Sequence, residues 1–594
     1  MTYVPPLRDI RFVLHELLDT TAALASMPPF DGIDVELIDR IVAEAGRFTA
    51  EVLAPLSAVG DRSGCGYRDG AVRTPPGFAD AYRRFCELGW PSLACDPAYG
   101  GQGLPRILNA VLYEMLGSAN HAWTMYPGLA HGAYACLRAH APDWIKALYL
   151  PPLVSGEWLA TMCLTEPQAG TDLGLLRTRA ERQADGSYRV SGSKIFISGG
   201  EQDFTGNIVH LVLARMPGAP EGSRGLSLFL APKLLPRDDG LPERNAIHCD
   251  GIEHKMGIAG SATCAMRFDE ATAWLIGEPN RGLSAMFVMM NAARLQVGLQ
   301  GLGHIEAALQ KSRIYAEERL QAKAPARPPR AVAVADPIAM HPAVQRMLMT
   351  QRAHAEGGRA FAYWTGLMLD TAESHRDAKT RAWAGDLVAL VTPIVKALLT
   401  ENGFLCASLA LQVFGGHGYI RETGIEQHVR DARIAMVYEG TNEIQAIDLL
   451  VRKVLGDDGR RLERFLALLE DEAQCARRDD ETAAFAEALT VLVGETRAAT
   501  QAVAERAAID PEAPYRIAPD YLRLLGHCAL AWVWTWSARV AAERRSAGDP
   551  LHTAKLLTAR YYFTYLLPET AQNLLIIKRC GVPVGASALR QDLS

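Results

Sequence analysis

Strand-like runs are confined to one block of this chain, residues 161–280, and that segregation limits the fold more than any other feature. Within the block, Tyr188-Arg-Val-Ser-Gly-Ser-Lys-Ile-Phe-Ile-Ser198 reads as a strand pair with a Ser-Gly turn. Three further runs read as buried strands: Ile208-Val-His-Leu-Val-Leu-Ala-Arg215, Gly225-Leu-Ser-Leu-Phe-Leu-Ala231 and Ala262-Thr-Cys-Ala-Met-Arg-Phe268. Their connections are brief and carry no helical pattern, which predicts an antiparallel β domain. On both sides apolar residues recur at spacings of three and four, as in Asp34-Val-Glu-Leu-Ile-Asp-Arg-Ile-Val-Ala-Glu-Ala45, so the flanks are helical. Helices separated from strands make an α+β protein rather than an alternating α/β one.

The chain has 594 residues, 49% hydrophobic and 22% charged, enough for about four domain-sized units with cores. Residues 1–35 read as an N-terminal extension with an amphipathic stretch, Asp9 to Asp19, and a loop, Met27 to Gly32. Residues 36–160 form an N-terminal α domain broken by the turn-rich Asp96-Pro-Ala-Tyr-Gly-Gly-Gln-Gly103. The β domain, 161–280, is followed by a helical bundle, 281–457. That bundle carries a Pro-rich insertion at 321–342, where five prolines predict an exposed, poorly helical loop. Gly456-Asp-Asp-Gly459 marks the start of an additional helical domain, 458–594, with no strand signal.

A net charge of −6 and no basic stretch in 460–594 argue against nucleic acid as a partner. Arg8, Asp9 and Arg11 interrupt the N-terminus, which lacks the apolar core of a secretory signal. No window approaches ~20 uninterrupted apolar residues, so no membrane span is expected. The eleven cysteines, Cys65 to Cys580, contain no Cys-x-x-Cys pair. Free thiols in a reducing, cytoplasmic setting are expected, with neither a disulfide framework nor a metal site.

Chemistry concentrates in a few segments. In Ile434-Ala-Met-Val-Tyr-Glu-Gly-Thr-Asn-Glu443, Glu439 stands between an apolar approach and a Gly-Thr turn that opens a helical run. Such a carboxylate serves either as a general base in a dry pocket or as a first-turn charge favouring a helix dipole. Cys163-Leu-Thr-Glu-Pro-Gln-Ala-Gly-Thr-Asp172 offers hydroxyls and backbone amides to an acceptor-rich ligand, or is a capped loop. Phe196 and Ser198 alternate with Ile195 and Ile197, as site residues or as core packing. Gln412-Val-Phe-Gly-Gly-His-Gly-Tyr419 is a Gly-rich turn that admits a phosphate or adenine, or simply ends a helix. His417 reads as structural. Arg294 interrupts an apolar helix, lining a pocket or making a partly buried salt bridge.

Four of these stretches, Cys163–Asp172, Ser191–Gly199, Gln412–Tyr419 and Val437–Gln445, occur in the order found in the acyl-CoA dehydrogenases, which this chain resembles over about residues 35–455. The N-terminal extension, Pro-rich insertion and helical tail are similar to the long subgroup. That subgroup includes 3-methylmercaptopropionyl-CoA dehydrogenases and broad-range bacterial acyl-CoA dehydrogenases. The resemblance implies FAD as cofactor, an acyl-CoA substrate (3-methylmercaptopropionyl-CoA or a short- to medium-chain acyl-CoA) and electron-transfer flavoprotein as acceptor. An acyl-CoA oxidase, or a flavin-binding relative associated with DNA, are the competing readings.

Residue roles follow from the resemblance. Glu439 is the base that takes the α-proton, and the β-hydrogen leaves as hydride to flavin N5. The thioester oxygen is held by the Glu439 backbone N–H and a flavin ribityl hydroxyl. Cys163, Thr165, Phe196 and Ser198 line the flavin ring, and Thr171 contacts the pyrophosphate or substrate phosphates. Arg319, Gln321, Gln412 and Gly416 reach FAD across a subunit interface. Thr441 and Glu443 complete the cofactor set; Asn291, Arg294 and Gly440 join Thr171 on the substrate. Ala322-Lys323 stands where the family usually has Phe-Gly or Gly. Ala292 and Ala293 occupy the stretch that carries the base in some relatives, so no acid competes with Glu439. Cofactor binding across subunits implies at least a dimer; the extra tail, in place of the second dimer of shorter relatives, favours a homodimer.

Overall fold

The computed structural model describes residues 3–236, 242–327, 333–545 and 548–579. Part of the Pro-rich insertion, 328–332, and the end of the chain with Cys580 lie outside the described residues. The chain forms two compact units. The first takes the described residues of Met1–Pro5, Arg40–Gly303 and Gln427–Ile434; the second takes those of Pro6–Asp39, His304–Glu426 and Ala435–Ser594. Helix Gly282–Glu318 contributes to both.

The first unit centres on a seven-stranded sheet: β1 Trp158–Cys163, β2 Arg179–Arg182, β3 Tyr188–Ser198, β4 Asn207–Arg215, β5 Leu226–Pro232, β6 Ile247–Ile252 and β7 Thr263–Ile276. The order is β6-β7-β3-β2-β4-β1, with β5 pairing both β7 and β4. Two sequence expectations need correction. The sheet is mixed, because β1 runs parallel to β4 from Trp158↔Asn207 to Cys163↔Val212. Residues 164–206 supply the long connection that a parallel pair requires. Tyr188–Ser198 is one strand, not two. Gly192 makes no turn there: a Cβ on it would lie 2.5 Å from Thr178 Oγ1, so glycine permits close passage beside the chain entering β2. Asp69-Gly70 interrupts the N-terminal helical stretch with a hairpin. Both residues have positive φ (+50° and +80°) and join strands Gly66–Arg68 and Ala71–Arg73, as such a dipeptide favours.

β4 and β5 read as largely apolar runs, interrupted by buried His210 and Ser227, because both faces are covered. Val209, Leu211, Leu213, Leu226, Leu228 and Leu230 pack with helices Arg106–His140 and Asp143–Ser155. Val212, Ala214, Phe229 and Ala231 pack on the opposite face with Val190, Ile197 and Phe268. Met286 and Met289 belong to the first of these clusters, as core packing.

The second unit is helical. Its main described members are Pro342–Ser374, Ala378–Phe414, Arg460–Ala476, Ala483–Ala507, Ala513–Arg544, Pro550–Tyr561 and Glu569–Lys578. Ala378–Phe414 falls in the one stretch of the described residues long and apolar enough to cross a membrane, yet 61% of its most apolar window is buried in the protein, as in a core helix. The N-terminal extension is built into this unit. Phe12, Val13, Leu14 and Leu17 are buried, and Asp9 pairs with Arg359 and Lys555. The ten described cysteines are all free.

Candidate active site

The residues singled out from the sequence fall into two sets, one in each unit. In the first unit, β1 delivers Cys163 into the sheet core. Its Sγ lies 3.3 Å from Thr161 Oγ1, and burial pushes its thiol up to about 12. Cys163 therefore presents only backbone to a ligand. Thr165 follows, half-buried, and its carbonyl accepts the Ile195 N–H at 2.9 Å, tying this segment to β3 beside Phe196 and Ser198. Glu166 strengthens the tie. Its carboxylate accepts from Lys194 Nζ at 2.9 Å, from Thr178 Oγ1 at 2.6 Å and from the Arg177 and Thr178 amides. Burial pushes the Glu166 carboxyl up, but Lys194 and Thr178 outweigh it and hold the group at about 2. The Glu166–Lys194 pair was not read from the sequence; a lone Glu and a lone Lys 28 positions apart give no local signal.

Beyond Glu166 the chain turns tightly, with Glu166 and Ala169 exchanging both backbone hydrogen bonds, and emerges with Gly170 open and Thr171 exposed. Phe196 is 58% exposed at φ +59°, while Ser198 is half-buried at the end of β3. The left-handed residue falls where the β3–β7 register shifts between Cys264 and Met266, a bulge beside which the ring is exposed. On helix Gly282–Glu318, buried Arg294 donates to Asn291 Oδ1 at 3.2 Å and lies over the Phe287 ring.

The second unit holds the other set. Arg319 and Gln321 are exposed where helix Gly282–Glu318 ends, and Gln412 and Gly416 are exposed where helix Ala378–Phe414 ends. Tyr315 brings these ends together. Its ring stacks on Phe414 at 4.1 Å and its hydroxyl meets His417 Nδ1 at 3.2 Å. Tyr315 was not singled out from the sequence, where it looks like one more apolar position of a long helix. Ala322 adopts φ +54°, the conformation a glycine would take, so the turn forms despite the family departure. Asp336 closes the described part of the insertion by accepting the Ala324 N–H at 2.8 Å, while its own N–H bonds Ala322 O.

Glu439 sits on a loop between a short helical turn, Ile434–Met436, and helix Asn442–Ile447. Two successive left-handed residues, Glu439 (φ +57°) and Gly440 (φ +83°), reverse the chain there. The positive φ favours glycine at 440, and a Cβ there would also displace the Gln445 amide, 2.8 Å away. Thr441 caps the helix through the Ile444 N–H, and Glu443 lies exposed in its first turn. Glu439 is half-buried with Oε2 shielded from solvent, so the side chain does not point into bulk water.

Four family models cover the chain in order: the acyl-CoA dehydrogenase N-terminal domain (38–157), middle domain (161–271) and C-terminal domain (280–454), then an acetyl-CoA dehydrogenase C-terminal-like domain (463–584). The chain is 42% identical to the 3-methylmercaptopropionyl-CoA dehydrogenase of Ruegeria pomeroyi, over 96% of this chain and 97% of that protein. It is 33% identical to the broad-specificity linear acyl-CoA dehydrogenase FadE5 of Mycobacterium tuberculosis, over 97% of each. Among solved structures, an acyl-CoA dehydrogenase from Bacillus anthracis complexed with FAD superposes with a TM-score of 0.74 at 21% identity, covering 95% of this chain and 91% of that one. The chain belongs to the acyl-CoA dehydrogenase family. It is an FAD-dependent oxidoreductase acting on acyl-CoA thioesters.

Proposed function

We propose that Glu439 is the general base of this dehydrogenase. The observation that carries the reading is a half-buried carboxylate, with Oε2 shielded from water, on a backbone turn that ordinary residues avoid. The hydrogen next to a thioester carbonyl is weakly acidic, and its removal at neutral pH needs a positioned base. Glu439 takes that proton, and its backbone N–H is a donor for the thioester oxygen as negative charge develops there. Bound FAD, held by the residues described next, would supply the acceptor for the β-hydrogen as hydride.

The residues present fit that cofactor. Phe196 offers an exposed aromatic face, Thr165 and Ser198 offer hydroxyls, and the open backbone at Gly170 allows close approach. Arg319, Gln321, Gln412 and Gly416 are exposed on the second unit, which supports their serving the FAD of a second copy in a homodimer. Thr171, Asn291, Arg294 and Gly440 are assigned to the substrate, Thr171 and the exposed Asn291 toward its CoA end. The identity to 3-methylmercaptopropionyl-CoA dehydrogenase supports that thioester or a short- to medium-chain acyl-CoA as substrate, with electron-transfer flavoprotein as acceptor.

The test is anaerobic mixing of the yellow holoenzyme with a series of acyl-CoAs, followed by loss of flavin absorbance. The best substrate is expected to be a short chain or its thioether analogue. Glu439→Gln is expected to retain FAD and lose about 10²–10⁴-fold in bleaching rate. Near-normal bleaching by that variant would remove Glu439 from the role. Rapid oxygen consumption with peroxide release would instead make oxygen the acceptor.

A further inference from the structure

We infer that Lys396 is a positioning residue for the base, acting through the backbone of the loop that carries Glu439; the inference rests on Glu439 being that base. Lys396 lies in the middle of helix Ala378–Phe414 and is 0% exposed. Its Nζ donates to the Gly440 carbonyl at 2.9 Å and to Asn442 Oδ1 at 2.8 Å. Asn442 is itself held by Thr400 and by Glu401 Oε1, at 3.2 and 3.3 Å. From the other side, fully buried Gln445 donates to the Glu439 carbonyl at 3.1 Å and to the Gly440 carbonyl at 3.3 Å.

Two left-handed residues in a row turn successive carbonyls toward the protein interior, where each needs a donor. Gln445 orients the peptide after Glu439, and Lys396 orients the next one. These two planes flank Gly440, so the turn is locked there, and the peptide leaving Glu439, one of the two that frame its Cα, is held against the rotation that would redirect the carboxylate. A methionine would fill the same volume as the lysine stem without the cost of burying an ammonium. The charge is therefore spent on strong, directed hydrogen bonds to this turn.

Proton abstraction depends steeply on distance, and a misplacement near 1 Å costs about 100-fold. Lys396→Met holoenzyme, with FAD content and melting temperature measured, is expected to bleach about 100-fold more slowly. The KM for acyl-CoA should change less than threefold. Deuterium at the substrate α-carbon should slow the variant more than it slows the wild type, because abstraction by a misaligned base limits the rate. A rate loss that only follows lost FAD, with an unchanged α-isotope effect, would reduce Lys396 to a folding role and overturn the inference. An unchanged rate would overturn it too. If Lys396→Met is not recovered folded, Gln445→Met reads the same loop with the same expected signature. Glu439→Gln in parallel separates the two claims. A dead Glu439→Gln beside a normal Lys396→Met sinks only the positioning role, whereas an active Glu439→Gln sinks the base itself.

Discussion

Ala322 and Glu439 share an unfavourable backbone, with φ of +54° and +57°, and the contrast between them is informative. A left-handed L-residue costs roughly 1–2 kcal/mol. At Glu439 one carboxylate oxygen is shielded from solvent and the turn is held by Lys396 and Gln445, so the cost accompanies a proposed function. At Ala322 the methyl group is exposed and the strain has no such counterpart. Ala322→Gly is expected to raise the unfolding free energy by about 0.5–1 kcal/mol, the relief of strain less the entropy that glycine adds to the unfolded chain. Urea titration checks the sign; a destabilised Ala322→Gly would mean that the side chain packs. The Tyr-Glu-Gly-Thr run is legible in the sequence as a candidate site, but the lysine beneath it is not. Lys396 is 43 residues from Glu439, and only the packing of two helices brings it to Gly440.

At the scale of elements, the segment Gln427–Ile434 belongs to the first unit and is fastened there by charge. Arg430 grips Asp61 with two hydrogen bonds, at 2.7 and 2.6 Å, and Asp431 accepts the Ile258 N–H. Gly257 must be glycine for this fit, since a Cβ would lie 2.5 Å from the Arg430 backbone. Burial pushes the Asp431 carboxyl up to about 6, against the hydrogen bonds from Ile258 and Gln427 that favour its charge. A carboxyl raised in the fold above its ordinary 3.8 is favoured neutral there, so this group lowers stability as pH climbs from about 4 to 6. The full cost, on the order of 3 kcal/mol, is present above that range. Asp431→Asn keeps an oxygen for the Ile258 N–H and loses the titration. The variant is expected to gain on the wild type progressively between pH 4 and 6 and to melt higher at pH 7.5. Parallel stability profiles for the two proteins would show that Asp431 does not titrate there. None of this was legible in the helical pattern of 426–433, which gives no sign that Asp431 is buried.

For the molecule as a whole, the chain's beginning is part of the second unit's core. Burial pushes the Asp9 carboxyl up, but Lys555 and Arg359 outweigh it and hold the group below its usual range. Arg359 also meets Glu306 at 2.7 Å, and Lys555 meets Glu356 at 2.7 Å. Four separate stretches of sequence thus share one buried charge network. Asp9→Leu removes the carboxylate that buried Arg359 and Lys555 share, leaves each with a single glutamate partner, and is expected to cost about 3–5 kcal/mol. Urea unfolding followed by tryptophan fluorescence reads this, since Trp534 lies 5.6 Å from the Lys555 ammonium. An effect below 1 kcal/mol would make the network peripheral to stability.

By itself the sequence determined the segregation of helix from strand, the order of the recurring segments and the residue types gathered at the Glu439 turn. These are local quantities, set by periodicity, turn chemistry and side-chain identity along a few adjacent positions. Tertiary structure alone decided the parallel pairing of Trp158–Cys163 with Asn207–Arg215, the union of Asp9 with Lys555, and the lysine under Gly440. Each of these joins positions tens to hundreds of residues apart. Their partners are chosen by packing and by the demand that buried charges and carbonyls be satisfied, and neither constraint is written in the residues nearby.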